Sequence, residues 1–122
     1  MKINTYKELV VWQRAIELVS EVYKVAKQLP KSEQFILISQ MVRSAISIPA
    51  NMAEGWGRNH KIEFIRFLNI AYGSSTELET HLIIAKREYS KVNYEKIEKL
   101  NLEIKKMLTS LVSKMKNSQT KY

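Results

Sequence analysis

Five polar residues of the second apolar segment stand at helical spacing: Arg43, Ser47, Asn51, Glu54 and Arg58. Steps of three and four place them on one face of a helix. They run beside an apolar face, so the stripe reads as partly buried. Glu77, on the next segment, is a partner within reach across a helix bundle. Buried charge is costly unless it is paired. Arg43 is therefore expected to pair with Glu54 or Glu77. Arg43, Asn51, Glu54 and Glu77 together read as a buried polar network that fixes helix register. A binding or catalytic cluster is the alternative use of the same four.

Other chemistries have less material. A carboxylate-bridged metal site in a helix bundle needs a Glu from each of two helices and two Glu-x-x-His motifs. The chain has only His60 and His81, and neither has a Glu three residues earlier. Glu77 precedes His81 by four, a single pair, so no metal and no cofactor is expected. There is no Cys, and no Ser has a visible His–carboxylate partner, so nucleophilic catalysis has no support. Gly55-Trp56-Gly57 lacks the strand and spacing of a phosphate-binding loop. Catalytic residues are accordingly expected to be none, and no small-molecule substrate is implied.

Cations are more plentiful. Arg58, Lys61 and Arg66 surround the second connection, together with Trp56, Asn59 and His60. A basic loop with an aromatic can hold phosphates and stack a base. Trp56 reads rather as a lid on the core, because tryptophan is highly buried on average. Lys86, Arg87, Lys91 and Lys96, with Lys99, surround the third connection.

Four apolar-periodic segments must position these groups. The first spans about 6–28. Thr5 to Glu8 has the form of a capping box, and Pro30 stops the helix. Leu9, Trp12, Ile16, Val19, Tyr23 and Ala26 form one stripe; Val11, Ala15, Leu18, Val22, Val25 and Leu29 form another. Two stripes are wider than one seam needs, so this helix is expected to bury one side in its own bundle and one against another subunit. The second segment spans about 33–56, with Ser32 as N-cap and Phe35, Ile38, Met41, Val42, Ala45, Ile46, Met52 and Ala53 inward. Pro49 either kinks a continuous helix or opens a new one behind Ile48. Ile48 is a poor cap, so continuity is preferred. The third spans about 61–88 and carries Gly73-Ser74-Ser75, which reads as a close helix approach or a bend. The fourth spans about 94–116, and residues 117–122 are polar and expected to fray. Similar lengths and short connections predict an all-α, antiparallel up-and-down four-helix bundle in one domain, residues 1–122.

Composition agrees with that reading. Apolar residues make up 45% of the chain's 122 residues, and Pro and Gly number only two and three, too few for a turn-rich β fold. The net charge is +8 and is uneven: residues 1–85 carry ten Lys/Arg against eight Glu, and residues 86–122 carry ten against four. Such a bias suits a polyanionic partner; it also suits solubility and the offset of helix dipoles. The lack of Cys, of a signal-peptide pattern and of any apolar run of the ~20 residues a bilayer requires points to a cytoplasmic protein without membrane contact.

Leu9-Val10-Val11-Trp12-Gln13-Arg14-Ala15, the run from Gln40 to Gly55, and the run from Phe64 to Leu78 resemble the motifs of a known family. That family comprises four-helix-bundle proteins encoded in intervening sequences of bacterial 23S ribosomal RNA genes. The resemblance covers about Tyr6 to Lys116. It implies a bacterial, cytoplasmic homo-oligomer, a ring-shaped homopentamer. A more distant likeness is to the accessory protein of diversity-generating retroelements, a basic pentameric barrel that binds a reverse transcriptase and nucleic acid. His60 departs from the family, which often has a Ser cap there; Asn59 is the expected substitute. Three functional expectations follow. The first is a non-enzymatic oligomer that binds RNA or another nucleic acid through Arg58, Lys61, Arg66, Lys86, Arg87, Lys91 and Lys96. The second is a protein-binding adaptor without direct nucleic-acid contact. The third is an enzyme built on the Arg43-Asn51-Glu54-Glu77 group.

Overall fold

The computed structural model describes residues 3–118. Four long helices follow one another: α1 (Val10–Ala26), α2 (Ser39–Gly57), α3 (Lys61–Glu88) and α4 (Glu95–Asn117). No strand occurs among the described residues. α2 packs against α1 and α3, and α4 packs against α3 and α1, which closes the four into a bundle. Short connections make each successive pair antiparallel. The expected architecture is present. Leu18, Met41, Ile48, Met52, Leu68, Leu78, Ile97, Ile104 and Leu108, fully buried, supply the core from all four helices.

The first helix is shorter than expected at both ends. The Thr5 capping box exists, but it closes a single 3-10 turn, Tyr6–Glu8. Thr5 Oγ1 accepts from the Lys7 N–H, and the Glu8 carboxylate accepts from the N–H groups of Asn4 at 3.1 Å and Thr5 at 3.2 Å. Leu9 then adopts an extended conformation and buries its side chain, so α1 starts at Val10. Its second stripe, from Val11 to Val25 and on to Leu29, is buried throughout. The first stripe is covered unevenly: Leu9 and Ala26 are buried, whereas Ile16 and Tyr23 are exposed.

Entry into the second helix also differs. Ser32 does not act as an N-cap. Pro30 leads into a 3-10 turn, Lys31–Glu33, with no side-chain cap, followed by a π-helical turn, Gln34–Ile38. The wide turn brings Leu37 inward and leaves Phe35, expected in the core, 87% exposed. Ile46 is likewise exposed. Pro49 lies buried inside α2, which bears out the continuous helix and rules out a new one capped by Ile48.

α2 continues through Gly57, and the reversal falls on Asn59, whose φ of 53° is left-handed. Asn59 therefore terminates α2 and does not cap α3, whose N-cap is His60 without a side-chain bond. Gly55 serves the helix crossing instead of the turn. A Cβ there would meet Phe67 Cβ at 2.5 Å. Gly73, read from sequence as a close approach, has open space where a Cβ would stand. At the far end, Tyr94 is buried and donates to the carbonyls of Ala85 at 3.1 Å and Tyr89 at 2.9 Å. Burial pushes its hydroxyl pKa up. Asn93 Oδ1 accepts from the Glu95 N–H at 2.9 Å, one residue ahead of the N-cap of α4, Tyr94, which makes no side-chain cap bond. Asn117 is the last helical residue; positions 119–122, part of the segment expected to fray, lie outside the described residues.

The two glycines should respond oppositely. Gly55→Ala forces apart a tight backbone approach and should cost about 1–3 kcal/mol. Gly73→Ala should stabilise by up to about 1 kcal/mol, because it removes only the helix penalty of glycine. Urea denaturation midpoints of the two variants check both signs.

Candidate nucleic-acid interface

The stripe on α2 does not become a buried network. Arg43, Glu54 and Glu77 are exposed, and Asn51 is half-buried. The Glu54 carboxylate turns along its own helix to Arg58 at 2.8 Å. Asn51 Nδ2 donates to the Ser47 carbonyl at 2.7 Å and to Ser47 Oγ at 2.8 Å. The reason lies in the spacing of α2 and α3. Gly55 closes on Phe67 at one end, and hydroxyl side chains fill the seam beyond it. Ser47 and Ser74 share a hydrogen bond of 2.7 Å across it. Ser44, almost fully buried, donates to the Met41 carbonyl at 3.1 Å and lies 3.2 Å from His81 Nδ1. The long charged side chains have no room and stand on the flanks.

The buried polar pair is elsewhere, between α3 and α4. Ser75 Oγ donates to Asn101 Oδ1 at 2.6 Å, and Asn101 Nδ2 returns a bond to the Ser75 carbonyl at 3.0 Å. Both residues are buried. A sequence signal for it existed: Asn101 sits at helical spacing with Ile97, Ile104 and Leu108, on the inward face. No group of three or more His, Asp or Glu gathers as a metal site among the described residues.

The first cationic cluster sits where α2 ends and α3 begins. Arg58 and Arg66 approach the Phe67 ring, each guanidinium carbon 5.0 Å from its centroid. Phe67 is 6% exposed, so the ring is a buried anchor that holds two charges at the surface. The hydrogen bond that Arg58 donates to the Glu54 carboxylate raises the Arg58 pKa. Lys61 does not join them; its ammonium donates to the Ser118 carbonyl at the end of α4. Trp56 is half-buried and meets Phe64 edge-on, with ring centroids 5.7 Å apart. It acts as the core lid, not as an open stacking platform.

The second cluster sits at the opposite pole, where α3 ends and α4 begins. The 28 residues of α3 separate the two by roughly 42 Å at 1.5 Å per residue. Here Lys86 pairs with Glu98 at 3.4 Å, and Lys96 pairs with Glu21 of α1 at 3.2 Å. Glu21 also takes Lys24 at 3.1 Å. The Lys24 hydrogen bond, with that of Lys96, holds the Glu21 carboxyl below its ordinary pKa despite partial burial. Arg87 and Lys91 are exposed and make no ion pair among the described residues. Lys27, Lys31 and Phe35 share this pole; in the sequence Lys27 and Phe35 read as parts of regular helices and Lys31 as part of the connection between them.

This arrangement of helices has a known relative. A family model described as 23S rRNA-intervening sequence protein matches residues 7–110. The chain belongs to that family. This member is similar in structure to a protein of unknown function from the S23 ribosomal protein family of Bacteroides thetaiotaomicron, seen in a crystal structure. The TM-score is 0.76 and the sequence identity 29%, over 84% of this chain and 98% of that one. No curated protein matches the sequence. Among the described residues of this family member, no helix is long and apolar enough to cross a membrane.

Two outcomes follow from the geometry. Arg43→Ala should change stability by less than about 0.5 kcal/mol, as at an exposed position. Asn101→Ala should cost about 1–3 kcal/mol, because Ser75 loses its buried partner. Thermal melts of the two variants separate them. Glu21 gives a pH signature. Its folded pKa is depressed, so its contribution is present above the unfolded carboxylate pKa and lost as pH falls through the folded one. Glu21→Gln should thus lower the denaturation midpoint at neutral pH, and the gap from the unmodified protein should close in acid.

Proposed function

We propose that this protein works by binding, not catalysis, and that its ligand is RNA or another nucleic acid held through surface cations. The observation that carries the reading is the set of exposed cations that no carboxylate neutralises. Arg66, Arg87 and Lys91 make no ion pair among the described residues. Arg66 is further fixed against Phe67. Cations left unpaired and spread over both poles of a bundle with net charge +8 are free to replace phosphate counterions. Lys86, Lys96 and Arg58 lie beside them and can exchange a carboxylate for a phosphate at a cost. The absence of an assembled nucleophile or metal ligand set among the described residues favours binding over chemistry.

The working form in this reading is a homo-oligomer, a pentamer by family resemblance. Its support in this chain is the uneven first stripe of α1, on which Ile16 stands exposed between half-buried Trp12 and Val19. An apolar row at helical spacing along an outer face is the kind of surface a second subunit covers. The protein-binding adaptor remains the second reading, favoured by the same apolar row.

Nitrocellulose filter binding of RNA across a salt series tests the main reading. Affinity should fall linearly on a log–log plot. Arg66→Ala, Arg87→Ala and Lys91→Ala together should reduce the slope by about 2, at ~0.7 for each phosphate no longer neutralised. Affinity indifferent to salt, or none, contradicts the reading. A defined protein that co-purifies after nuclease treatment would favour the adaptor.

A further inference from the structure

The pole that carries Arg87 and Lys91 also carries the most exposed aromatic side chain among the large hydrophobic residues described. Phe35 is 87% exposed and its neighbour Ile36 66%. They project from the π-helical turn Gln34–Ile38. Such wide turns are rare and occur often at functional sites. Here the turn has a visible consequence, because it aims at water a phenylalanine that regular periodicity would bury. An aromatic ring left in water forfeits the burial that stabilises the rest of the chain. Its position asks for a partner.

The surroundings say which. Behind the turn, residues of α1, α2 and the segment joining them line a groove of about 340 Å³. Leu29 and Ile38 contribute apolar walls, Gln34 a side-chain amide, and Lys27 and Lys31 two ammonium groups; no carboxylate lines it. Both lysines are exposed and make no ion pair among the described residues. Across the pole, Tyr89 donates to Glu33 at 2.6 Å and so binds the 31–33 turn to the loop that carries Lys91. That bond occupies the one carboxylate of the 31–33 turn. Glu88, the last residue of α3, stands beside Lys91. The pole therefore combines an open aromatic face, a base-sized groove with an amide on its wall, and cations on both sides.

We infer that this pole binds single-stranded RNA, with an unstacked base against Phe35 and the neighbouring phosphates on Lys27 and Lys31. The inference rests on the nucleic-acid reading above and narrows it. Duplex RNA keeps its bases stacked on one another and offers no free π face, whereas a single strand can splay a base onto an aromatic ring. The Gln34 amide, donor and acceptor together, can meet a base edge. An acidic peptide would find the cations but would have no use for an isolated, fully open ring.

Fluorescence anisotropy with fluorescein-labelled oligouridylate and with a labelled blunt RNA duplex provides the test. Phe35→Ala should weaken oligouridylate binding about tenfold, as for loss of one stacked base, and leave the salt slope unchanged. Duplex binding should stay within about twofold of the unmodified protein, since it uses phosphate contacts alone. Phe35→Tyr should restore oligouridylate affinity. Lys27→Ala with Lys31→Ala should instead lower the slope, by ~0.7 for each phosphate set free. A Phe35→Ala protein that binds oligouridylate as well as the original overturns the inference, as does equal loss on both RNAs. A changed sedimentation mass in Phe35→Ala also overturns it, since the ring would then be a contact between subunits. Poly-glutamate competing as well as oligouridylate overturns it too, and assigns the pole to acidic peptides. If the unmodified protein binds neither RNA, the broader reading fails; if it binds both and Phe35 makes no difference, only this narrower one does.

Discussion

The close approach of α2 and α3 governs both the interior and the surface of this bundle. Gly55 has no room for a Cβ against Phe67, and along the same seam Ser44 meets His81 and Ser47 meets Ser74. A seam of hydroxyls cannot hold a guanidinium or a glutamate. Arg43, Glu54, Arg58, Arg66 and Glu77 are therefore displaced to the flanks, where water screens them. The charged exterior is in this sense a consequence of a small-residue interior. Phe67 joins the two: its backbone side closes on Gly55, and its ring carries two arginines outward.

The same division appears across the other seams. Between α3 and α4 the polar content is one satisfied pair, Ser75 and Asn101, which fixes register at little cost because both groups find partners. The ion pairs that bridge helices are Arg14–Glu103, Lys86–Glu98, Lys96–Glu21 and Lys105–Glu79. The pairs exposed at both ends, Arg14–Glu103 and Lys86–Glu98, contribute little to stability. They matter more for which cations remain unneutralised. Lys27, Lys31, Arg66, Arg87 and Lys91 do, and both poles of the bundle are thereby left positive.

Much of the fold was legible because helical periodicity is a strong signal over long segments. α3 and α4 were located to within a residue, and the continuity of α2 through Pro49 followed from the poor capping power of Ile48. Local competition between turn types was not legible. Thr5 and Glu8 satisfy one another in a turn that ends at Leu9, and the residues after Pro30 take up 3-10 and π geometry where the pattern reads as plain helix. The polar stripe on α2 misled for a different reason. Spacing fixes that Arg43, Asn51 and Glu54 share a face, but how closely a neighbour approaches that face is a property of Gly55, Ser44 and Ser74 together. Arg58 and Arg66 do meet at the second connection while Lys61 turns away to Ser118, and the neutralisation of the cations depends on partners such as Glu21, distant in sequence from Lys96. Family membership carries the fold, while the role of the charged surface rests on geometry alone.

In the proposed reading, a rigid, small-seamed bundle presents unpaired cations to a nucleic acid. The most direct check is the ultraviolet spectrum and native mass of the protein purified at low salt without nuclease. A nucleic-acid absorbance band that travels with an oligomer, and that high salt strips away, is the predicted result. A clean protein spectrum at every salt concentration, from material that stays folded, would contradict it.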